Sequence, residues 1–516
     1  MHSSLWQICD DRELKTGTLT VLRNIYHSST SYVKNGKERS PAFPIEKGVR
    51  QGDPTSALLF NLYVDALASI LSEGRTSEVK VDNKRVDFIQ YADDVSLLAY
   101  SIEYLQESLD RTANFLASLY LSVQPSKSAF IEIHGQRKKS ERLALHISSP
   151  TVQPIQQTTE VTYLGTVISS NWSFKSARQA VESKASTAYN ILRIRLASDA
   201  RSLPHVVAAQ LYDTLVKSVY TYNAEIIQQL VPFTTETGIV PPTVFDSLEI
   251  RYFKWLYEIK KNAPNVSMST IFCLQSSNEL IACKTINFLK SIIAYENFGF
   301  SALKELIKCG LKFKKKRSYF YRFVIPILFD NETVPTVAND ATIKHVIDMI
   351  RNFDLNSFTD RTRQASTTNL YNTLSADLHP RSTCVLPLLD SNSRFPFFLR
   401  ETSFPPVLKK GLLAHFTSTH DLHEERGRYC NPKTPRENRV CHFCQSNKVQ
   451  NLRHVFVDCP DYAPLVENLR YKCNTDIVSE QFYDHCIKLV LEGPSDKARL
   501  VASLINTILR DKRLTS

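Results

Sequence analysis

The feature that most constrains this chain is a local change of hydrophobic period. Residues 86–99 show period two, with Val86 and Phe88 before the tetrapeptide Tyr91-Ala92-Asp93-Asp94 and Val95, Leu97 and Ala99 after it. Such alternation predicts a β-hairpin, which places the two carboxylates at its turn. Adjacent carboxylates raise one another's proton affinity unless a cation compensates, and a divalent metal is the natural compensator. Hard Mg²⁺ takes few carboxylates and keeps waters and substrate phosphates as further ligands, and a pair of such ions suits phosphoryl transfer. Taken alone, Asp-Asp is also an ordinary hydrophilic turn, so the neighbouring segments decide.

Before the hairpin stands Gly48-Val49-Arg50-Gln51-Gly52-Asp53-Pro54-Thr55-Ser56. Asp53 can accept N–H bonds as an N-cap and Pro54 suits a first turn, which predicts a helix over 57–72. Leu58, Leu62 and Ala66 would share one face of it, and Gly74 would close it. After the hairpin, 104–120 reads as a helix. Short strand-like runs at Val123 and 130–133 flank the loop Gln124-Pro125-Ser126-Lys127-Ser128, and 161–168 gives a further strand signal containing Tyr163-Leu164-Gly165. From 174 to 196, Ala177, Val181, Ala185, Ala188 and Leu192 recur at helical spacing, with Lys175, Arg178, Lys184 and Arg193 on another face. Helical periodicity returns over 206–230 and 244–259 around a loop at 234–242. Beyond Asn265 it weakens, and the polar stretch 357–383 reads as a loose boundary.

Composition narrows the function. The 516 residues carry 63 Lys+Arg against 52 Asp+Glu, a formal +11, which favours a polyanionic partner. The shares of hydrophobic (43%) and charged (22%) residues are those of a globular chain, which argues against disorder. With 13 glycines the balance tilts to helix, and the length predicts about three domains. Short basic runs stand at 137–139 and 312–317, the second a candidate import signal. No uninterrupted apolar run of 18 residues occurs and the first residues lack a signal-peptide pattern, so the expectation is a soluble protein with no membrane partner. Eleven cysteines, with only Cys9 before Cys273, argue for a reducing compartment over a disulfide framework.

Taken in order, Gly48–Pro54, the Tyr91–Asp94 peptide, the Lys127 loop and Tyr163-Leu164-Gly165 resemble the palm of non-LTR, LINE-type retrotransposon reverse transcriptases. The resemblance continues through Tyr212, Tyr222, Ala224, Glu225 and residues 252–256, and so covers about residues 1 to 265. It implies an α+β fold: a partial right-hand polymerase palm (1–172), a helical thumb-like region (173–262), a mainly helical connecting region (263–425), and a small zinc-knuckle module with a helical tail (426–516). It implies RNA-directed DNA synthesis from an RNA template, a DNA primer and deoxynucleoside triphosphates, in the nucleus. Asp93 and Asp94 would hold Mg²⁺ (or Mn²⁺). Lys127 would contact phosphate or donate a proton to pyrophosphate. Arg50, Gln51, Gly52 and Tyr91 would line the nucleotide and template pocket, with Gly52 admitting a close approach. Tyr163, Leu164 and Gly165 would support the primer end. Family members carry a further aspartate in an upstream strand, and His2-Ser3-Ser4-Leu5-Trp6 resembles the stretch just after it. Asp10 and Asp11 then fall in the following helix, and the expectation is a truncated chain, without fingers and with weak or no polymerisation. The alternative is a non-catalytic nucleic-acid-binding remnant. Oligomeric state is left open.

A second constellation lies near the C-terminus. Cys441 and Cys444 are followed by His454 after nine residues and Cys459 after four more. Three thiolates and an imidazole make a tetrahedral zinc shell, and soft thiolates favour Zn²⁺ over harder ions. Cys430 and His442 are possible competing ligands. The pattern resembles the CCHC zinc knuckle that follows the polymerase in many non-LTR elements, with a longer middle gap. Phe443, Lys448 and Arg453 would then face a base and phosphates, unless the zinc is only a structural staple.

Overall fold

The computed structural model describes residues 2–45, 47–50, 52–73, 79–81, 84–133, 144–147, 154–198, 203–227, 243–294, 298–313, 324–329, 339–360 and 396–511, apart from single positions 421, 429, 431, 476, 478 and 494. Gln51, Gly74, the 137–139 run, the loop at 234–242 and most of 357–383 lie outside them. The fold mixes helix and sheet. The chain divides into two compact units, residues 1–177 with 295–305, and residues 178–294 with 306–516.

In the first unit, helices α1 (His2–Asp11), α2 (Thr16–His27) and α3 (Pro54–Val64) enclose a core of Leu5, Cys9, Leu19, Tyr26, Leu59, Tyr63 and Val64. Asp53 caps α3 as expected, its carboxylate accepting from the Thr55 N–H at 2.9 Å. The expected helix runs on into α4 (Ala66–Glu73), divided from α3 only at Asp65, whose backbone keeps helical angles of φ −58° and ψ −33°. The buried face also differs from the expected one. Leu59, Tyr63, Leu67 and Leu71 point inward, whereas Leu58 is 63% exposed and Ala66 is exposed. Nearly every position of this run is apolar, so periodicity alone could not select the face. By length and composition the stretch Pro54–Glu73 would suffice to cross a membrane, although its midpoint aspartate pairs with Arg12.

The expected hairpin is present as β1 (Phe88–Tyr91) and β2 (Asp94–Leu97), antiparallel with Tyr91 opposite Asp94. Helix α5 (Ile102–Ser118), capped by the Ser101 hydroxyl, packs Ile102, Leu105 and Leu109 with Leu97, Val123, Phe130, Leu145 and Ile155. This core anchors one end of the hairpin and leaves its turn in solvent. The runs at Val123 and 130–133 do not form strands; Phe130 makes only an isolated bridge to Gln157. The 161–168 signal is a second hairpin, β3 (Glu160–Tyr163) and β4 (Thr166–Ser169). Among the described residues every sheet has two strands, with no continuous sheet joining them.

Helix α6 (Lys175–Leu196) buries Ala177, Val181, Ala185, Tyr189 and Leu192, close to the expected stripe. In the second unit α7 (His205–Tyr212) passes into a π-helical stretch, Asp213–Lys217. Helix α8 (Val244–Leu256) opens with a Thr243/Asp246 capping box. Regular helices continue past Asn265, where periodicity had faded. In α9 (Ser277–Ala294) the buried stripe includes Ser277, Asn278 and Thr285, polar side chains that hide the period from a hydropathy reading. The C-terminal part packs α10 (Pro406–Phe416), α11 (Leu452–Val457), α12 (Ala463–Cys473), α13 (Ser479–Glu492) and α14 (Ser495–Leu509) against one another.

Candidate active site and metal centre

Asp93 sits on the two-residue turn Ala92-Asp93, and Asp94 opens β2 opposite Tyr91. Ala92 takes φ +53°, a left-handed conformation uncommon for a residue with a Cβ, and the Gln90 amide donates to its carbonyl at 3.4 Å. Strain of this kind persists where surrounding structure imposes it. Tyr91, Asp93 and Asp94 are all exposed, Tyr91 by 65%. Among the described residues, no third acidic side chain joins them in a metal-binding group. The donors suit a hard cation, but two adjacent carboxylates are an incomplete ligand set.

The glycine-led turn before α3 is built by hydrogen bonds. The Ser56 hydroxyl donates to the Arg50 carbonyl at 2.5 Å, the Arg50 N–H donates to the Tyr26 hydroxyl at 3.4 Å, and His2 Nε2 lies 2.9 Å from the Gly48 carbonyl. Hydrogen bonds from the Thr55 N–H and hydroxyl hold the Asp53 carboxyl below the usual carboxylate range. Gly48 and Gly52 have φ of +80° and +86°. At Gly52 a Cβ would meet nothing within 4 Å, so in this structure the turn conformation, not crowding, calls for glycine. Arg50 is exposed.

Lys127 ends a short 3-10 turn, Pro125–Lys127, and is exposed. Tyr163 and Thr166 are paired across a turn in which Leu164 and Gly165 both have positive φ, +44° and +77°, as a type I′ hairpin turn demands. The Tyr163 hydroxyl is buried, with no hydrogen-bond partner among the described residues. These features are distributed over the first unit, each on its own turn.

The Cys/His constellation does converge. One ligand atom each from Cys441, Cys444, His454 and Cys459 lies within 4.8 Å of the others. The sulfurs of Cys441 and Cys459 are 3.9 Å apart and Cys444 Sγ is 3.3 Å from His454 Nε2. Zinc–sulfur bonds in a tetrahedron imply sulfur separations of about 3.8 Å, so the spacing fits one ion. A bridge between Val440 and Val449 folds the Cys-x2-Cys turn back, with the Cys441 N–H donating to the Lys448 carbonyl at 2.8 Å. Asn451 caps α11, which presents His454, and Cys459 follows the end of that helix. Asp458 Oδ2 lies 3.7 Å from His454 Nδ1, beyond hydrogen-bond length, and Nε2 is the ring nitrogen that lies beside Cys444 Sγ. Burial holds the imidazole below its ordinary value, hence neutral as a ligand must be. Burial raises the Cys459 thiol to about 12. Burial pushes up Cys444 too, but hydrogen bonds with the Ser446 hydroxyl and N–H and with Cys441 and Cys459 together leave that thiol below the usual range.

Neither Cys430 nor His442 belongs to this group. The three residues expected to reach nucleic acid are engaged elsewhere. Lys448 pairs with Asp458 at 2.9 Å, Arg453 pairs with Asp484 at 2.9 Å and stands over the Tyr483 ring, and Phe443 packs edge-on against Tyr462. The hydropathy pattern carries no signal for these distant partners.

Residues 3–168 match the family model of reverse transcriptase (RNA-dependent DNA polymerase). The chain is 30% identical over 170 residues to the Pol polyprotein of the type-2 retrotransposable element R2DM of Drosophila melanogaster, covering 32% of this chain and 16% of that protein. It is also 30% identical over 173 residues to the Pol polyprotein of a type-1 element R2 of Bradysia coprophila, covering 32% of this chain and 19% of the relative. The chain thus spans less than a fifth of the length of either relative. The segment bearing the capped helix, the aspartate hairpin and the type I′ turn is a reverse transcriptase domain, an RNA-directed DNA polymerase fold. The relatives that this segment matches are Pol polyproteins of R2 retrotransposable elements, and in this chain the segment is followed by a zinc-knuckle-like Cys/His cluster.

Proposed function

We propose that this chain is the polymerase module of a non-LTR retrotransposon, extending a DNA 3′ end with deoxynucleoside triphosphates on an RNA template. One observation carries the reading: two exposed carboxylates on a strained hairpin turn, inside a segment that matches the reverse transcriptase family. When bound, Mg²⁺ (or Mn²⁺) ions neutralise charge on the attacking and leaving oxygens. Asp93 and Asp94 hold the ions. Arg50, Gln51 and Gly52 seat the incoming nucleotide beside Tyr91, Lys127 steadies or protonates the departing pyrophosphate, and Tyr163, Leu164 and Gly165 carry the primer end. The basic face of α6 follows the duplex backbone, and Cys441, Cys444, His454 and Cys459 hold zinc. The division into palm, thumb, connecting region and knuckle at 172, 262 and 425, and a nuclear site of action, belong to the same proposal.

Polymerisation by this chain is impaired, because none of its described residues brings a third carboxylate to the pair. That observation also favours a second reading, a non-catalytic nucleic-acid binder. Primer extension on a primed RNA template with Mg²⁺ or Mn²⁺ separates the two. Slow incorporation that Asp93→Asn abolishes supports the polymerase; retained template binding with no incorporation under either ion supports the binder.

A further inference from the structure

The turn that opens α3 contains two glycines, Gly48 and Gly52, both at positive φ. Glycine gives up more conformational freedom on folding than any other residue, so such a turn is held by whatever surrounds it. Here the holders come from α1 and α2. Val49 packs against the core that those helices share with α3. His2, at the start of α1, sets Nε2 2.9 Å from the Gly48 carbonyl; a carbonyl only accepts, so Nε2 carries the proton. Tyr26, on α2 and 2% exposed, directs its hydroxyl to Arg50 and Ser56.

Three polar contacts there close on themselves. The Arg50 N–H donates to the Tyr26 hydroxyl at 3.4 Å, and the Ser56 hydroxyl donates to the Arg50 carbonyl at 2.5 Å. Ser56 has one hydroxyl proton and spends it on Arg50, so across the 3.4 Å between the two hydroxyls Tyr26 is the donor. The result is a one-way ring, from the Arg50 N–H to Tyr26, from Tyr26 to Ser56, and from Ser56 to the Arg50 carbonyl. Each donor proton is used once, and bonds in such a chain polarise one another. Both backbone polar groups of Arg50 are thus tied, while the residue itself stays exposed. The Tyr26 ring is in turn fixed by edge-on contacts from His2 and Trp6, at 5.3 and 5.5 Å between centroids. An arginine carried on a backbone pinned in this way matches phosphate oxygens with less ordering left to be done when they arrive.

We propose that Tyr26 and His2 are positioning residues for the nucleotide pocket, holding the turn before α3 in the conformation that presents Arg50 while touching no nucleotide themselves. This rests on the reading above of Arg50 as a contact to the incoming deoxynucleoside triphosphate. One test needs no nucleotide. Tyr26→Phe keeps the packed ring and removes only the hydroxyl, and is expected to speed exchange of the Arg50 amide about threefold to tenfold and to leave exchange in α5 as it was. The second test is the Kd of the next complementary deoxynucleoside triphosphate for the full chain on a primer–template with a dideoxy 3′ end, where no bond can form. Tyr26→Phe and His2→Ala are each expected to raise that Kd about threefold to tenfold and to leave the Kd for the primer–template itself unchanged, a split that loss of folding would not produce. His2→Gln returns an N–H donor to the Gly48 carbonyl and is expected to restore the nucleotide Kd. An unchanged Arg50 amide rate, or an unchanged nucleotide Kd, in Tyr26→Phe would overturn the positioning role. Arg50→Ala tests the underlying reading separately: if it weakens nucleotide binding and Tyr26→Phe does not, positioning alone fails. If Arg50→Ala leaves the nucleotide Kd as it was, or the unaltered chain binds no nucleotide, the pocket reading fails and takes the positioning role with it.

Discussion

His415 and His420 show what single residues cost this fold. Their rings lie 6.3 Å apart and nearly parallel, 2% and 7% exposed, and His415 Nε2 meets the Tyr483 hydroxyl at 3.1 Å. Burial lowers His415 to about 4; for His420, burial together with His415, Lys260 and Arg428 lowers it to about 3. Both folded values lie below the unfolded value near 6.5, so the folded state prefers the neutral rings. Their stabilisation is therefore complete above about pH 6.5 and is lost as pH falls from there toward 4. At pH 5 the loss amounts to about 2 kcal/mol for each histidine. Urea unfolding midpoints measured from pH 7.5 to 5 are expected to fall, and less steeply after His415→Gln with His420→Gln. An unchanged midpoint over that range would refute the assignment.

At the level of elements, two devices fix the second unit. The π-helical stretch Asp213–Lys217 brings Lys217 to Glu249 on α8 at 3.0 Å, with Glu249 5% exposed. Burial raises the Glu249 carboxyl, while Lys217 draws it back, leaving it at about 7. Removing one partner of a buried pair costs about 3–5 kcal/mol, while replacing both with apolar groups is often neutral. Lys217→Met is expected to destabilise by that amount and Lys217→Met with Glu249→Leu to recover most of it, as a double-mutant cycle in urea would report. The Cys/His cluster is the second device. Its helix α11 packs on α13 through Phe456 and Tyr483, and the Tyr462 hydroxyl beyond it donates to Asp511 at 2.9 Å. Zinc bound at this site would therefore brace the C-terminal helices. Chelation, or Cys459→Ser, is expected to speed amide exchange across α11 and α13; unchanged protection there would show that the cluster carries no structural load.

For the whole molecule, the division into two compact units predicts two unfolding transitions in calorimetry. A chelator is expected to lower the one belonging to the unit that contains the cluster and leave the other in place. One transition, or two that move together, would refute this.

Legibility followed the range of the interactions. The capped start of α3, the aspartate hairpin and the Cys/His spacing were readable, because each is encoded within a few consecutive residues by N–H satisfaction, period two or ligand geometry; the 161–168 run read as one strand, and the turn at Leu164-Gly165 that makes it a hairpin did not show in its hydropathy. The buried face of 54–73 was not readable either, since a run apolar on all sides needs its neighbours to choose. Nor was the polar stripe of α9. The sequence by itself determined which residues could do chemistry and the local shape that presents them. Only the tertiary structure decided that Arg453 and Lys448 pair with Asp484 and Asp458 while Arg193 and Arg251 stand over the Tyr189 ring. Charge is neutralised by what lies a few ångströms away in space, and those partners come from separate elements or from opposite ends of a loop.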